Sequence, residues 1–238
     1  MQLDVALTMN TSIQKIFSQI PKSYERINHL LTFGLDILWR KKAVRIAMKK
    51  GGLRWLDVCT GTGETAIYLS QKASLNTRIF GVDFTRPMLM EAVRKPESAR
   101  VYFSQADVKE LPFPNQSFDL ITISFATRNL NLNRKVLVRT FSEFHRVLKP
   151  DAWFVNLETS QPGNKIVRTF YQLFVRLFVQ QIGTKLSGSR AGYAYLANTI
   201  PRFYSAEQLS EILMKSGFRS VKIKKILFGV VAIHVGSK

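Results

Sequence analysis

The sequence predicts an α/β fold, a doubly wound and mostly parallel sheet with helices on both faces. Three observations carry that expectation. Residues 55–67, WLDVCTGTGETAI, read as a short buried strand that breaks into Thr60-Gly61-Thr62-Gly63, and a helix can start near Glu64. Glycines at such a turn let the backbone approach a ligand closely, because no Cβ stands in the way. Strand and helix signals then alternate as far as residue 157, as a doubly wound sheet requires. Finally, Asp57, Thr62, Asp83, Asp107, Ser124, Arg128 and Asn129 all fall at or just after expected strand ends. Open α/β sheets bind their ligands there.

Taken in order, residues 13–31 follow helical spacing through Ile13, Ile16, Phe17 and Ile20 and, after Pro21, through Tyr24, Ile27, Leu30 and Leu31. Together with a second helix over 36–50, ended by Gly51-Gly52, they form a helical lid at about 10–50 ahead of the first strand. Seven basic residues and no acid lie between Asp36 and Asp57, from Arg40 to Arg54. They read as a solvated helix face or a membrane-facing patch. A second strand over 78–82 ends at Asp83, where a carboxylate can accept from both hydroxyls of a ribose. Pro87 suits the first turn of the next helix. The third strand, 101–105, ends at Ala106-Asp107, where the acid could take an adenine amino group. The fourth runs from Phe118 to Phe125. A helix over 133–148 is stopped by Lys149-Pro150, and a fifth strand covers 153–157. After an excursion from 159 to about 204, Ser205-Ala-Glu-Gln208 forms a capping box for a helix ended by Gly217. Two strands, 221–228 and 230–235, complete the chain as one domain over 1–238. Lys222 and Lys224, alternating with Val221 and Ile223, put one face of the first in water.

Of 238 residues, 46% are apolar and 21% charged, as in a globular protein, but 35 Lys+Arg against 16 Asp+Glu give a net charge of +19. That field favours a polyanionic partner, meaning anionic lipid, nucleic acid or an acidic protein. The single cysteine, Cys59, rules out an internal disulfide, a cysteine metal cluster and two-cysteine methylation chemistry, and is expected to pack in the first strand. No run of 18 uncharged apolar residues exists and the first residues lack a signal pattern. A cytoplasmic protein without a transmembrane helix is expected. His145 and His234 are read as structural.

The excursion has no acid between residues 159 and 206, and it carries six basic residues and eight aromatics. Over 166–182, Arg168, Gln172, Arg176 and Gln180 form one narrow polar stripe on a helix that is otherwise apolar. Such a helix suits a membrane interface or an apolar ligand channel.

The order Asp57-x-x-x-Gly61-x-Gly63 resembles motif I of the class I S-adenosylmethionine-dependent methyltransferases, although Gly61-x-Gly63-x-x-Ala66 also fits a loose dinucleotide fingerprint. Further pieces are more specific: Tyr24-x-x-x-Asn28, Phe33-Gly34-x-Asp36-x-x-Trp39-Arg40, Gly81-Val82-Asp83, Leu111-Pro112-Phe113, Phe118-Asp119 and Arg128-Asn129. Arg146-Val147-Leu148-Lys149-Pro150, Leu157-Glu158, Tyr193-x-Tyr195-Leu196 and Gly229-x-x-Ala232-x-His234-x-Gly236 extend them. With these the chain resembles, over nearly its whole length, the ubiquinone/menaquinone biosynthesis C-methyltransferases, the demethylmenaquinone methyltransferase family. It departs from that family's pattern at Ala126, usually glycine, at Glu64, commonly aspartate, and at Asp151-Ala152.

The resemblance implies a Rossmann-like class I methyltransferase fold, with a mostly parallel seven-stranded sheet and an antiparallel last strand. It implies S-adenosylmethionine as cofactor, bound by Asp57, Gly61, Thr62, Gly63, Asp83, Asp107, Val108 and Ser124, with no metal. The reaction implied is C-methylation of a polyprenylated quinol. Arg128 would orient a water and stabilise the quinolate, and Asn129 and Tyr24 would hold the quinol oxygens. An anionic membrane surface is the expected docking partner, and a homodimer is possible. RNA or another small molecule is the alternative substrate. A degenerate fold kept as a basic binding module is the non-enzymatic alternative.

Overall fold

The computed structural model describes residues 18, 21–179, 181, 185 and 190–238, without the side chains of 21–24, 190 and 191. Seven strands form one sheet: β1 (Arg54–Val58), β2 (Arg78–Asp83), β3 (Val101–Gln105), β4 (Phe118–Ser124), β5 (Leu148–Thr159), β6 (Ser220–Ile226) and β7 (Val231–Ser237). Their order is β3-β2-β1-β4-β5-β7-β6, and β7 alone runs antiparallel, against both β5 and β6. The strand order reverses between β1 and β4. That switch point opens a crevice at the strands' carboxyl ends.

The helices cover both faces of the sheet. On one, α2 (Leu35–Ala47) and α3 (Glu64–Lys72) bury Trp39, Val44, Ala66 and Leu69 against Leu120, Val155 and Ile233. On the other, α6 (Arg134–Val147) and α9 (Ala206–Lys215) bury Phe141, Phe144 and Ile212 around Phe154. Between them in sequence are α4 (Arg86–Val93), with Pro87 in its first turn, and the single turn α5 (Thr127–Leu130). Asn133 caps α6 by accepting from the Val136 N–H, and the capping box at Ser205 is formed in full. A third cluster joins α1 (Pro21–Leu31) to the excursion: Ile27 and Leu31 pack on Val175, Val179, Tyr193 and Leu196. These come from α7 (Lys165–Phe174), its π-helical continuation Val175–Val179, and α8 (Arg190–Thr199).

Several expected boundaries move, each for a local reason. α6 ends ahead of Lys149-Pro150 as expected, but those two residues are not a linker, because β5 already begins at Leu148. Leu148 pairs with Phe118 and Trp153 with Leu120, so the intervening residues form a bulge in which proline's missing N–H costs no ladder bond. β4 stops at Ser124 because Phe125 turns left-handed, at φ 57°. β6 stops at Ile226 for the same reason at Leu227 and Phe228. β6 is an edge strand, and both Lys222 and Ile223 are exposed on it, so its alternation does not separate a wet face from a dry one. Cys59 lies past β1 in a left-handed turn, at φ 51°, rather than inside the strand. Gln180 and most of the expected 166–182 helix beyond Val179 fall outside the described residues.

Three other residues that carried the resemblance brace this frame. Asp119 accepts from the Leu53 and Arg54 N–H groups and from Lys149. Arg146 donates to the carbonyls of Leu111 and Phe113 and pairs with Glu143. His234 is buried between the Ala206 carbonyl, 2.8 Å away, and Asn156, and burial holds its pKa low, in keeping with a structural role.

Phe154 is fully buried against Phe141, Phe144 and Phe218. Phe154→Ala is expected to cost about 3–5 kcal/mol in urea unfolding. A loss under about 1 kcal/mol would show that this cluster is not the centre of the core.

Candidate active site

The crevice at the switch point is a pocket built from four strand ends. β1 supplies Thr60, Gly61 and Thr62, β2 supplies Asp83, β3 leads to Asp107 and Val108, and β4 supplies Ser124. Asn129 closes one side. The Asp83 carboxylate is pinned at both oxygens by main-chain donors: the Gly61 N–H at 2.9 Å and the Thr85 N–H at 2.8 Å. Burial raises its pKa, and those N–H groups oppose the rise. A Cβ built on Gly61 meets nothing within 4 Å, so the space beside it is open for a ligand. At Gly63 a Cβ would stand 3.0 Å from Ala92 and from Phe103, and its φ of 84° is left-handed, so this glycine serves close packing under the turn.

Of the residues expected to hold a cofactor, Gly61, Thr62, Asp83, Asp107, Val108 and Ser124 line this pocket, whereas Asp57 and Gly63 stand behind its wall. Asp57 is buried and accepts from the Thr60 and Thr122 hydroxyls, both at 2.6 Å. It holds the turn in place instead of facing the ligand. Burial pushes its pKa from 3.8 up to about 6, against the pull of the two hydroxyls and of Arg40.

A second, larger cavity of about 510 Å³ adjoins the first. Its lining is largely apolar and aromatic, from α1, α2, α7 and the turn after β6, with Leu31, Trp39, Phe170, Phe174 and Phe228 prominent. Arg40 and Phe125 line both cavities, so the two meet across this pair, with the Arg40 guanidinium 5.0 Å from the Phe125 ring centre.

Arg128 lies in the apolar cavity and Asn129 in the polar pocket, so the two do not share one chamber. The Arg128 guanidinium is buried beside the fully buried Glu158, with Nη1 3.4 Å from Oε1 and 3.3 Å from the Thr159 hydroxyl. Its backbone N–H also donates to Glu158. Its Nε has no partner, and neither does the buried Oδ1 of Asn129. Buried polar atoms are nearly always satisfied, so these two are exceptions in residues that line the two cavities. Tyr24 belongs to α1, but its side chain lies outside the described residues.

Sequence reasoning missed the ionic chain that ties α1 to the glycine turn. Lys95 pairs with Glu25 and donates to the Thr62 carbonyl at 2.8 Å. His29 Nδ1 lies 2.8 Å from Asp36 and its Nε2 3.5 Å from Glu64, while Arg40 Nε is 3.4 Å from the other Glu64 oxygen. Arg40 also donates to Thr65, which donates to Ser124. Glu25, His29 and Glu64 have the spacing of metal ligands, yet Lys95 and Arg40 already neutralise the two carboxylates. In the sequence Arg40 is one cation in a basic run, and nothing in the spacing marks it as the buried one. Tyr171, which lines the cavity beside Arg128 and Thr159, carried no signal beyond its place in an aromatic-rich helix; burial raises its pKa, so its hydroxyl stays protonated.

The sequence matches the ubiE/COQ5 methyltransferase family over residues 6–238. It is 37% identical to a demethylmenaquinone methyltransferase from Thermus thermophilus over 225 residues, covering 94% of this chain and all of that protein. It is 32% identical to the ubiquinone/menaquinone biosynthesis C-methyltransferase UbiE of Desulfotalea psychrophila, over 99% of this chain and 94% of that one. The fold is similar to that of a Thermotoga maritima SAM-dependent methyltransferase described as a possible histamine N-methyltransferase. The TM-score is 0.66 at 18% identity, covering 95% of this chain and 99% of that one. A Haemonchus contortus phosphoethanolamine N-methyltransferase 2, solved with S-adenosyl-L-methionine, shares the fold at TM-score 0.56 and 15% identity, over 83% of this chain and 52% of that one.

The raised Asp57 pKa has a signed consequence. The folded protein binds this proton more tightly than the unfolded chain does. Asp57 therefore favours folding below pH 3.8, and that advantage is lost as pH rises toward 6, by about 3 kcal/mol. In Asp57→Asn that part of the pH dependence of unfolding free energy is expected to vanish between pH 4 and 6. An unchanged slope would show that Asp57 titrates normally in the fold.

Proposed function

The chain belongs to the ubiE/COQ5 methyltransferase family, and from that premise we propose that it methylates a ring carbon of a polyprenylated quinol. The observation that carries the reading is the junction at Arg40 and Phe125, where a pocket lined by Thr62, Asp83, Asp107 and Ser124 meets a largely apolar cavity of about 510 Å³. S-adenosylmethionine, the cofactor, supplies a methyl group on a sulfonium that is already electrophilic when bound. The open space at Gly61, the pinned Asp83 and the apolar Val108 and Met88 fit its amino-acid part, ribose and adenine in that order. The orphan oxygen of Asn129 is an acceptor on the same side. Asp57 and Gly63 serve the cofactor by shaping the turn.

The acceptor is the weak partner in this reaction. A ring carbon becomes nucleophilic when a neighbouring hydroxyl, with a pKa of about 10 as for a phenol, gives up its proton. Arg128 is no base, since its guanidinium stays charged. Its guanidinium lies in the lining of the cavity with Nε–H unpartnered, and serves there as the donor that stabilises the quinolate or holds the water that takes the proton. Glu158 fixes the guanidinium and offsets its charge. Tyr171, protonated, adds a second donor. The acceptor's tail resides in a bilayer, so the protein works at a membrane surface, and its net charge of +19 favours an anionic one.

Labelled S-adenosylmethionine, offered with demethylmenaquinol and separately with bulk RNA, tests the reading. Label is expected in the quinone fraction alone. Arg128→Lys, which keeps the charge opposite Glu158, is expected to lower kcat/KM about a hundredfold while cofactor affinity stays within about twofold. Label only in RNA, or an undiminished Arg128→Lys, would overturn the assignment.

A further inference from the structure

The segment from Lys165 to Val179 carries two apolar faces. Val167, Tyr171, Val175 and Val179 point inward and line the large cavity. Ile166, Phe170, Leu173 and Leu177, spaced four, three and four apart, form a continuous exposed stripe, at 69%, 69%, 48% and 44% exposure, whose first two members also line the cavity. A helix on a water-soluble surface normally turns its polar residues outward. Here the charges flanking the stripe are Lys165 and Arg176, both cationic, and the sequence has no acid between residues 159 and 206.

A second, independent observation lies at the mouth of the same cavity. Phe33 and Phe228 line it from two separate turns, and each is more than 80% exposed. Both have left-handed backbone, with φ of 52° and 54°. For a bulky residue that conformation is costly and persists only where something is gained. In water nothing is gained by straining the chain to hold a phenyl ring out in solvent.

We propose that Phe33, Phe228 and the stripe Ile166, Phe170, Leu173 and Leu177 form a face that inserts into the interface of an anionic lipid bilayer. The cavity mouth is then seated on the membrane. Apolar side chains enter the acyl boundary while Lys165 and Arg176 meet anionic headgroups, the pairing by which an amphipathic segment binds a membrane surface. Basic flanks without any acid fit an anionic bilayer better than a second copy of this chain, which would bring the same charges against themselves. The inference rests on the quinol reading for what passes through the mouth, though not for the binding itself: a substrate whose tail lies in the bilayer reaches the ring chamber without crossing water.

The test is flotation of the full chain with phosphatidylglycerol vesicles and with phosphatidylcholine vesicles, alongside sedimentation to detect self-association. Two variants avoid the cavity lining: Leu173→Glu combined with Leu177→Glu, and Arg176→Glu. The protein is expected to float with the anionic vesicles, less well as salt is raised. The double variant is expected to lose at least about tenfold in vesicle affinity and the charge reversal about fivefold or more. Both should keep wild-type melting temperatures and methylate a short-tailed, water-soluble quinol at the wild-type rate. Failure of the wild type to float, vesicle binding indifferent to both variants, or a dimer that the variants abolish would each overturn the proposal. Vesicle binding that depends on this face, with no methylation of the soluble quinol, would uphold the face and overturn the substrate reading.

Discussion

The site depends on two buried carboxylates that bind no ligand with their best hydrogen bonds. Asp57 bridges the hydroxyls of Thr60 and Thr122, tying the start of the glycine turn to β4 across the switch point. Asp83 ties the other side of the same turn to β2 by accepting from the Gly61 N–H. Each is expensive to bury, as the raised pKa of both groups records. What the cost secures is a turn held at fixed height above the sheet, with the open side of Gly61 facing the crevice. Without that fixed turn, neither the polar pocket nor the wall it shares with the apolar cavity would have a defined shape.

The wall is made of strained backbone. Seven non-glycine residues among those described have left-handed φ, and five of them line one or both cavities: Phe33, Cys59, Phe125, Leu227 and Phe228. Phe125 is the central case. Its reversal ends β4 and puts its ring under Arg40, so one residue stands between the two cavities. Arg40 is held from the far side by Glu64 and Thr65, and Glu64 is reached in turn by His29 of α1. The helix ahead of the first strand is thus wired to the partition. Its apolar side meanwhile packs Ile27 and Leu31 on Val175 and Val179, and Leu31 lines the second cavity.

Much of this was legible in the sequence because it is written in local patterns. The strand, glycine turn and helix of residues 55–67, the acids at strand ends, the capping box at Ser205 and the antiparallel last strand follow from spacing, turn chemistry or resemblance. Other features depend on contacts between distant parts of the chain, and no local pattern encodes those. Arg40 looked like one of seven solvated cations, yet it is buried, and Arg54 from the same run lies over the rings of Phe80 and Phe118. Pro150 looked only like a helix stop, because its place in a bulge of β5 cannot be read from one strand alone. Arg128 and Asn129, adjacent in sequence, were both expected at the quinol, but the short turn that holds them places them in the linings of different cavities. Asp119 and Arg146, carried as family residues, prove to brace the frame.

The central claim is that two chambers meet at Phe125 so that a methyl group can pass between them. The most direct measurement is a crystal structure with S-adenosylhomocysteine and a short-tailed quinol bound together. The account predicts the quinol ring against Phe125 with an oxygen at Arg128, its tail running past Phe170 toward Phe228, and a ring carbon within about 3–4 Å of where the transferred methyl would stand. A quinol bound elsewhere, or held in the apolar cavity with Phe125 closed between it and the sulfur, would contradict it.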